Sequence, residues 1–411
     1  MKITLFTILM LLSSYLGFAQ TDSLIYKSRL LNNNDQRSVP LDSAKQRDMI
    51  DVINIIRGKT TSLQANKKSR RLNFAMIPTV GYTLSTGFAI VFSGNVAFYT
   101  GKNHQENLSS IESDFALDTK AQQISITRAE IWAPENTFKF VSDIRWEHFP
   151  TQTYGLGSLT TDAEQVNVNY NFLRLYGTFY KPVAKDLYLG AGYNLDYRYN
   201  ISENTLPGNT PNDFQKYGLT SSSTSSGLNI DLLYDDRRNA LNPLGGSYIN
   251  FTASQNLRLL GSNNNWQAYQ LDVRKYIRLS PNSNNVLAFW SLDWLTNGHA
   301  PYLDLPANGE DMYSNTGRGY AQARFRGKDM LYLESEYRFG ITRNGLLGGV
   351  LFANCETFAG YPTASFQKLI PAAGTGIRIK INKHSNTNAC IDYGIGTNGS
   401  HGFFVNLGEV F

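Results

Sequence analysis

The 411-residue chain is 13% aromatic and only 17% charged, with 24 Tyr, 23 Phe, 34 Gly and a formal net charge of +5. So small and scattered an excess of basic residues gives no footprint for nucleic-acid binding. Two cysteines, Cys355 and Cys390, are too few for a disulfide framework and are expected as free thiols on non-adjacent strands.

The opening stretch MKITLFTILMLLSSYLGFAQ reads as an export signal over residues 1–19. Lys2 is the positive end, Ile3 to Leu12 the apolar core, and Gly17-Phe18-Ala19 a small-x-small cleavage site. That apolar run is too short for a spanning helix, and no later window reaches the roughly 18 apolar residues one needs. An exported, Tyr- and Gly-rich chain without helical spans fits a transmembrane β-barrel, whose strands are apolar on one face only. A secreted soluble β-protein shares those averages, so composition does not decide between them.

Residues 20–71 read as a polar periplasmic linker with one amphipathic helix, predicted over 42–57. Asp42 or Ser43 would cap it, Met49, Ile50, Ile53 and Ile56 share a face, and Gly58 stops it. The run KKSRR (67–71) reads as a solvated edge.

From Leu72 onward the hydrophobic period is two, and sixteen strand candidates follow. In LYLGAGYNLDYRY (187–199) the odd positions are Leu, Leu, Ala, Tyr, Leu, Tyr and Tyr, a face for lipid. The even positions, among them Asp196 and Arg198, face water. Turns are expected at 100–106, 133–136, 181–186, 236–246, 280–285, 341–345 and 382–388, most of them short. The long connections 149–163, 200–221, 297–327 and 359–368 all fall on the opposite side, the asymmetry of an outer-membrane barrel. The expected fold is therefore all-β: a sixteen-stranded antiparallel transmembrane β-barrel over residues 72–411, preceded by a short helical extension. In the closing GFFVNLGEVF, Phe403, Val405, Leu407 and Phe411 are expected on one side, and the segment looks like the C-terminal recognition strand of outer-membrane proteins.

The segment GRGYAQARFRGK (317–328) lacks periodicity and carries Arg318, Arg324, Arg326 and Lys328. Gly317-Arg318-Gly319-Tyr320, before the fifth strand from the end, resembles the Val-Arg-Gly-Phe loop of the BamA/TamA superfamily, with Gly317 for Val and Tyr320 for Phe. Residues 77–94 look like that family's first hairpin. YDDRRNALNPLGGSYINF (234–251) is similar to its turn between strands eight and nine, and NLGEVF to its ending. The resemblance implies a loop folded into the lumen, with Arg318 paired to an acidic residue of the next strand, which falls at Glu336. A second acidic partner of the family falls at Asn354, which keeps an acceptor but loses the charge. The plain alternative is four exposed loop cations touching water or lipopolysaccharide. Family members of the assembly type also carry POTRA domains, and residues 20–71 hold no strand set for one, so a short form is expected.

By the same resemblance the chain is expected in the outer membrane of the Gram-negative type, as a multi-pass barrel. It would assist insertion or translocation of client outer-membrane proteins, or lipids, through a weak seam between first and last strands. Pro78, which cannot donate to a ladder, suits such a gate strand. The alternative function is a passive porin-like channel, since sixteen strands can leave an aqueous lumen that Arg318 and Arg326 would constrict. Enzyme activity is not expected. His104, His148, His299, His384 and His401 are scattered, with no metal spacing and no nucleophile elbow. No cofactor or metal is expected, and single barrel and homo-oligomer both stay open.

Overall fold

The computed structural model describes residues 46–58, 72–83, 87–101, 106–203, 211–237, 239–280, 283–383 and 385–411. The export signal, the linker residues 20–45 and 59–71, and His104 and His384 lie outside the described residues.

The sheet opens with β1 (Leu72–Thr83), β2 (Gly87–Phe98), β3 (Ser109–Asp118), β4 (Gln123–Trp132) and β5 (Lys139–His148). A three-residue β6 (Thr151–Thr153) leads into the long pair β7 (Val166–Ala184) and β8 (Leu187–Glu203). Then follow β9 (Ser222–Asp235), β10 (Gly246–Asn256), β11 (Trp266–Arg278), β12 (Val286–Gly298) and β13 (Met330–Gly340). β14 (Leu347–Phe358), β15 (Ile370–Asn382), β16 (Thr387–Ile395) and β17 (His401–Leu407) complete it. Each strand pairs antiparallel with the next, β5 passing directly to β7 with β6 as a flap on the end of β7. Setting β6 aside, sixteen strands form the wall, as the alternation predicts. The wall is nearly closed. β1 pairs with β2 along its length and β17 with β16, but no paired register joins β1 to β17 among the described residues.

Period-two patterning explains the wall. On β9 the outward Leu228, Ile230 and Leu232 are exposed, while Asn229, Asp231 and Leu233 between them are buried. The same inversion of soluble-protein logic holds on β8, where Leu189, Tyr193 and Tyr197 face out and Asp196 and Arg198 face in. Apolar outside and charged inside is stable only if lipid covers the outside.

The turns expected as short connect β2–β3, β4–β5, β7–β8, β9–β10, β11–β12, β13–β14 and β15–β16. The long connections lie at the other rim. The longest, residues 299–329, enters the lumen rather than standing in solvent.

Helix α1 (Met49–Ile56) is shorter than the span predicted from 42. Asp48 caps it through a reciprocal box: the Asp51 N–H donates to Asp48 Oδ1 at 2.9 Å and the Asp48 N–H to Asp51 Oδ2 at 3.2 Å. Residues 46–48 are not helical, so the helix starts at this box; Asp42 and Ser43 lie outside the described residues. α1 rests on the short-turn rim. The Arg47 N–H donates to the Asn344 carbonyl at 2.9 Å, the Lys383 N–H to Asp48 Oδ2 at 3.0 Å, and Lys383 Nζ to Asp51 Oδ2 at 2.7 Å.

The C-terminus departs from expectation. Phe403 and Val405 face outward and Leu407 is half-buried, but Phe411 does not join their face. β17 ends at Leu407, Gly408 takes φ +97°, and the chain turns into the lumen. A residue with a Cβ resists that left-handed conformation. Phe411 is 3% exposed and packs against Trp290 and Tyr276, with ring centroids 5.2 and 6.2 Å away. Arg338 Nη2 donates to its carbonyl at 2.9 Å. The alternation that placed Phe411 outside stops at Gly408. Phe411→Ala should therefore cost about 3–5 kcal/mol, the range for emptying a buried aromatic site. Phe403→Ala, which strips only a lipid-facing ring, should cost less. Heat-modifiable gel migration in detergent measures both, and equal midpoints for the two variants would contradict this placement.

Candidate functional site

Residues 299–329 have no strand of their own, yet most of the segment is buried: 302–309, 315–320 and 325–327 are all inside. The segment supplies its own partners. The Asp311 carboxylate accepts from the Asn315 and Thr316 N–H groups at 3.0 and 2.8 Å. The Asn308 side chain donates to the Ala321 carbonyl at 2.8 Å and accepts from the Phe325 N–H at 2.8 Å. Arg326 donates to the carbonyls of Leu303 and Leu305, at 3.1 and 2.8 Å, and to Glu310 at 2.7 Å. So Arg326 is 2% exposed and locks the loop to itself. It is not a free constriction charge. Arg324 is half-buried over the Tyr154 ring and pairs with Asp162 at 3.0 Å, and Lys328 is half-buried.

Gly317, Arg318, Gly319 and Tyr320 sit at the deepest point. Gly317 and Gly319 have φ +77° and +120°, so both use the left-handed region that favours glycine. Gly319 also lies against β16. A Cβ on Gly394 would fall 2.8 Å from the Gly319 nitrogen, so two glycines let the loop backbone touch the wall. Tyr320 OH donates to the Pro371 carbonyl at 2.7 Å, and Ser400 Oγ donates to the Gly319 carbonyl at 2.7 Å.

That cradle aims Arg318 at the wall. Its guanidinium donates to Glu334 and Glu336 of β13 and to Asp392 of β16, and stacks on Phe352 of β14 at 3.9 Å. Glu336 is where the sequence placed the partner. Glu334 and Asp392 are partners it did not anticipate. Around this centre Arg338 binds Glu336 at 2.6 Å, and Arg378 binds Glu409 at 2.8 Å and Asp392. Asn354 reaches the loop differently from an acidic partner: its Nδ2 donates to the Arg318 carbonyl at 2.9 Å, holding backbone rather than guanidinium. Pro78 lies on β1 opposite Phe92 of β2, the only side on which β1 has a paired neighbour among the described residues.

Glu356, two positions beyond Asn354 and beside Gly317, is 1% exposed, and neither of its oxygens has a hydrogen-bond partner on the described protein. A buried unpaired carboxylate is costly. The Arg318 cluster beside it is itself rich in negative charge, with Glu334, Glu336, Asp392 and Glu409 against Arg318, Arg338 and Arg378.

The rest of the lumen follows a rule that the sequence states and that alternation alone does not reveal. Acid-x-Arg recurs on the inward face as Asp143/Arg145, Asp235/Arg237, Asp272/Arg274 and Glu336/Arg338, each pair bonded within its own strand end or strand at 2.6–2.9 Å. Asp196/Arg198 shares the spacing but pairs outward from itself, with Arg174 at 2.8 Å and with Asp304 of the loop. Spacing of two places both charges on one face of a strand, where a planar fork meets a carboxylate. Away from the Arg318 cluster a cavity of about 550 Å³ remains, lined by Glu112, Arg128, Asp231, Tyr248, Tyr313 and Phe411 among others.

A family profile described as the Omp85 superfamily domain matches residues 107–400. The chain belongs to the Omp85 superfamily. It is an outer-membrane β-barrel of that group. BamA from Haemophilus ducreyi lacking POTRA domains 1–3 is similar in fold, with a TM-score of 0.50 at 14% identity, covering 90% of this chain and 82% of that one. CdiB from Acinetobacter baumannii gives a TM-score of 0.54 at 11% identity, over 83% of this chain and 60% of that one. CdiB from Escherichia coli gives 0.51 at 8% identity, over 82% and 67%. No curated protein compared with the chain matches it in sequence.

Three substitutions separate the paired from the unpaired carboxylate. Arg318→Ala leaves Glu334 without a cation and takes one of the cations from Glu336 and from Asp392, and should lower barrel stability by about 3–5 kcal/mol, with Glu336→Gln milder because an acceptor remains. Glu356→Gln should leave stability unchanged or raise it, because it replaces a buried carboxyl group that has no hydrogen-bond partner on the described protein. Thermal midpoints of heat-modifiable migration compare the three. A Glu356→Gln barrel as weak as Arg318→Ala would contradict the assignment.

Proposed function

We propose that this barrel assists the insertion or translocation of client proteins at the outer membrane of a Gram-negative-type envelope. The observation that carries the reading is the β1–β17 seam. In a wall where every other neighbouring pair of full-length strands is paired in antiparallel register, these two edges have no register among the described residues. An unpaired edge presents backbone N–H and C=O groups to an incoming strand, the geometry of β-augmentation. Pro78 on β1 lacks an N–H and suits an edge rather than a central strand. The inward turn at Gly408 keeps the last four residues out of the wall at the same seam.

Client strands and lipids, lipopolysaccharide included, are the partners this reading implies, and no catalytic step enters it. A passive channel is the rival, supported by the lumenal cavity. Against it, the loop that would serve as a constriction is tied to the wall by Arg318 and closed on itself by Arg326.

Depletion of the protein followed by quantitative profiling of the outer-membrane fraction tests the proposal. The expected result is a fall in specific β-barrel proteins in that fraction, with their unfolded forms accumulating. An unchanged barrel complement, together with steady large conductance of the purified protein in planar bilayers, would favour the channel.

A further inference from the structure

We propose that α1 is an interfacial membrane anchor, lying at the short-turn edge of the barrel with its isoleucine face in the phospholipid layer. The proposal rests on the barrel fold and not on the client role above. Ile50, Ile53 and Ile56 recur at a spacing of three, on one side of the helix, and are 50%, 41% and 79% exposed. On the opposite side Asp48 and Asp51 are buried and held by Lys383 and the helix cap, while Ile55, near the helix end, is 46% exposed. The protein therefore orients the helix through its acids and leaves Ile50, Ile53 and Ile56 largely uncovered by the described residues. Three exposed isoleucines within two turns are the pattern of a helix that partitions into an interface.

Two further observations select lipid as the occupant. The helix is attached at the short-turn rim of the barrel, on the turn after β13 through Asn344 and the turn after β15 through Lys383. The outward apolar columns of those strands, with Ile341 57% and Ile377 53% exposed, end at the same two turns. The helix thus sits at the end of strands whose outward side already needs acyl chains. Charge agrees. The acids of α1 are consumed in docking, and the exposed charged residues beside the isoleucines are Arg47, Arg57 and Arg343. Cations whose stems lie on an apolar surface and whose heads reach phosphate are the expected flanks of such a helix.

The test uses the folded full-length protein in phospholipid vesicles, with nitroxide labels at Ile53→Cys and separately at Ile56→Cys. Cys355→Ala removes the half-buried native thiol, and Cys390 is buried. Glu135→Cys, on an exposed short turn, supplies the aqueous reference, and Ile230→Cys, mid-strand and outward, the lipid reference. Power-saturation measurements compare collision with oxygen and with a polar nickel chelate. The expected oxygen-to-nickel ratio at Ile53 and Ile56 exceeds that at Glu135 by about threefold or more, approaching the Ile230 value, as for side chains below the headgroups. Ratios at both positions equal to the Glu135 value would overturn the proposal, placing the helix in water or against another protein. Because either label reports independently, a misfolded single variant does not decide the outcome.

Discussion

One guanidinium organises the inside of this barrel. Arg318 is brought to the wall by a loop that begins after β12 and ends before β13, and it bonds acids on β13 and β16 while stacking on β14. It therefore spans the wall sector next to the seam. A cation in a desolvated lumen is tolerable only with such partners, so the loop cannot leave without stranding both signs of charge. The position of some thirty residues follows from that constraint, and so does the reduction of the lumen from an open pore to a residual cavity.

The rest of the lumen applies the same logic in weaker form. Arginines spaced two residues from an acid neutralise the wall locally, strand by strand, and Arg145 also donates to the loop carbonyl of Met312 at 2.6 Å. Asp196 and Arg198 break the rule where the loop arrives: Arg198 turns to Asp304, and Arg174 of the neighbouring strand takes Asp196. Pairing within a strand makes a wall. Pairing between strand and loop makes a plug. The chain uses both, and Arg145 does both at once, keeping Asp143 while it holds the Met312 carbonyl.

What the sequence revealed and withheld divides along the range of the interactions. Strands, turns and the two unequal rims were legible because alternation is a local property of each segment. The Arg318–Glu336 pair was legible only through a resemblance, since nothing local in GRGYAQARFRGK says which wall it meets. Asp392 lies 74 residues beyond Arg318, and only the register of four successive strands brings it there. Phe411 was misplaced because alternation was carried through Gly408, where one left-handed residue ends it. The acid-x-Arg repeats stood in the sequence throughout; their meaning depended on knowing that the inward face was enclosed.

The turn at Gly408 also fixes a mismatch of lengths. β17 has seven residues and β1 has twelve, so five positions of β1 exceed anything β17 can offer, whatever pairing the two edges make. At about 3.3 Å per residue this is roughly 16 Å of strand edge. Full zipping of these two strands cannot silence it. The two edges of the seam therefore differ in length by that amount in any register they adopt, and the difference is written into the chain rather than into one arrangement of it.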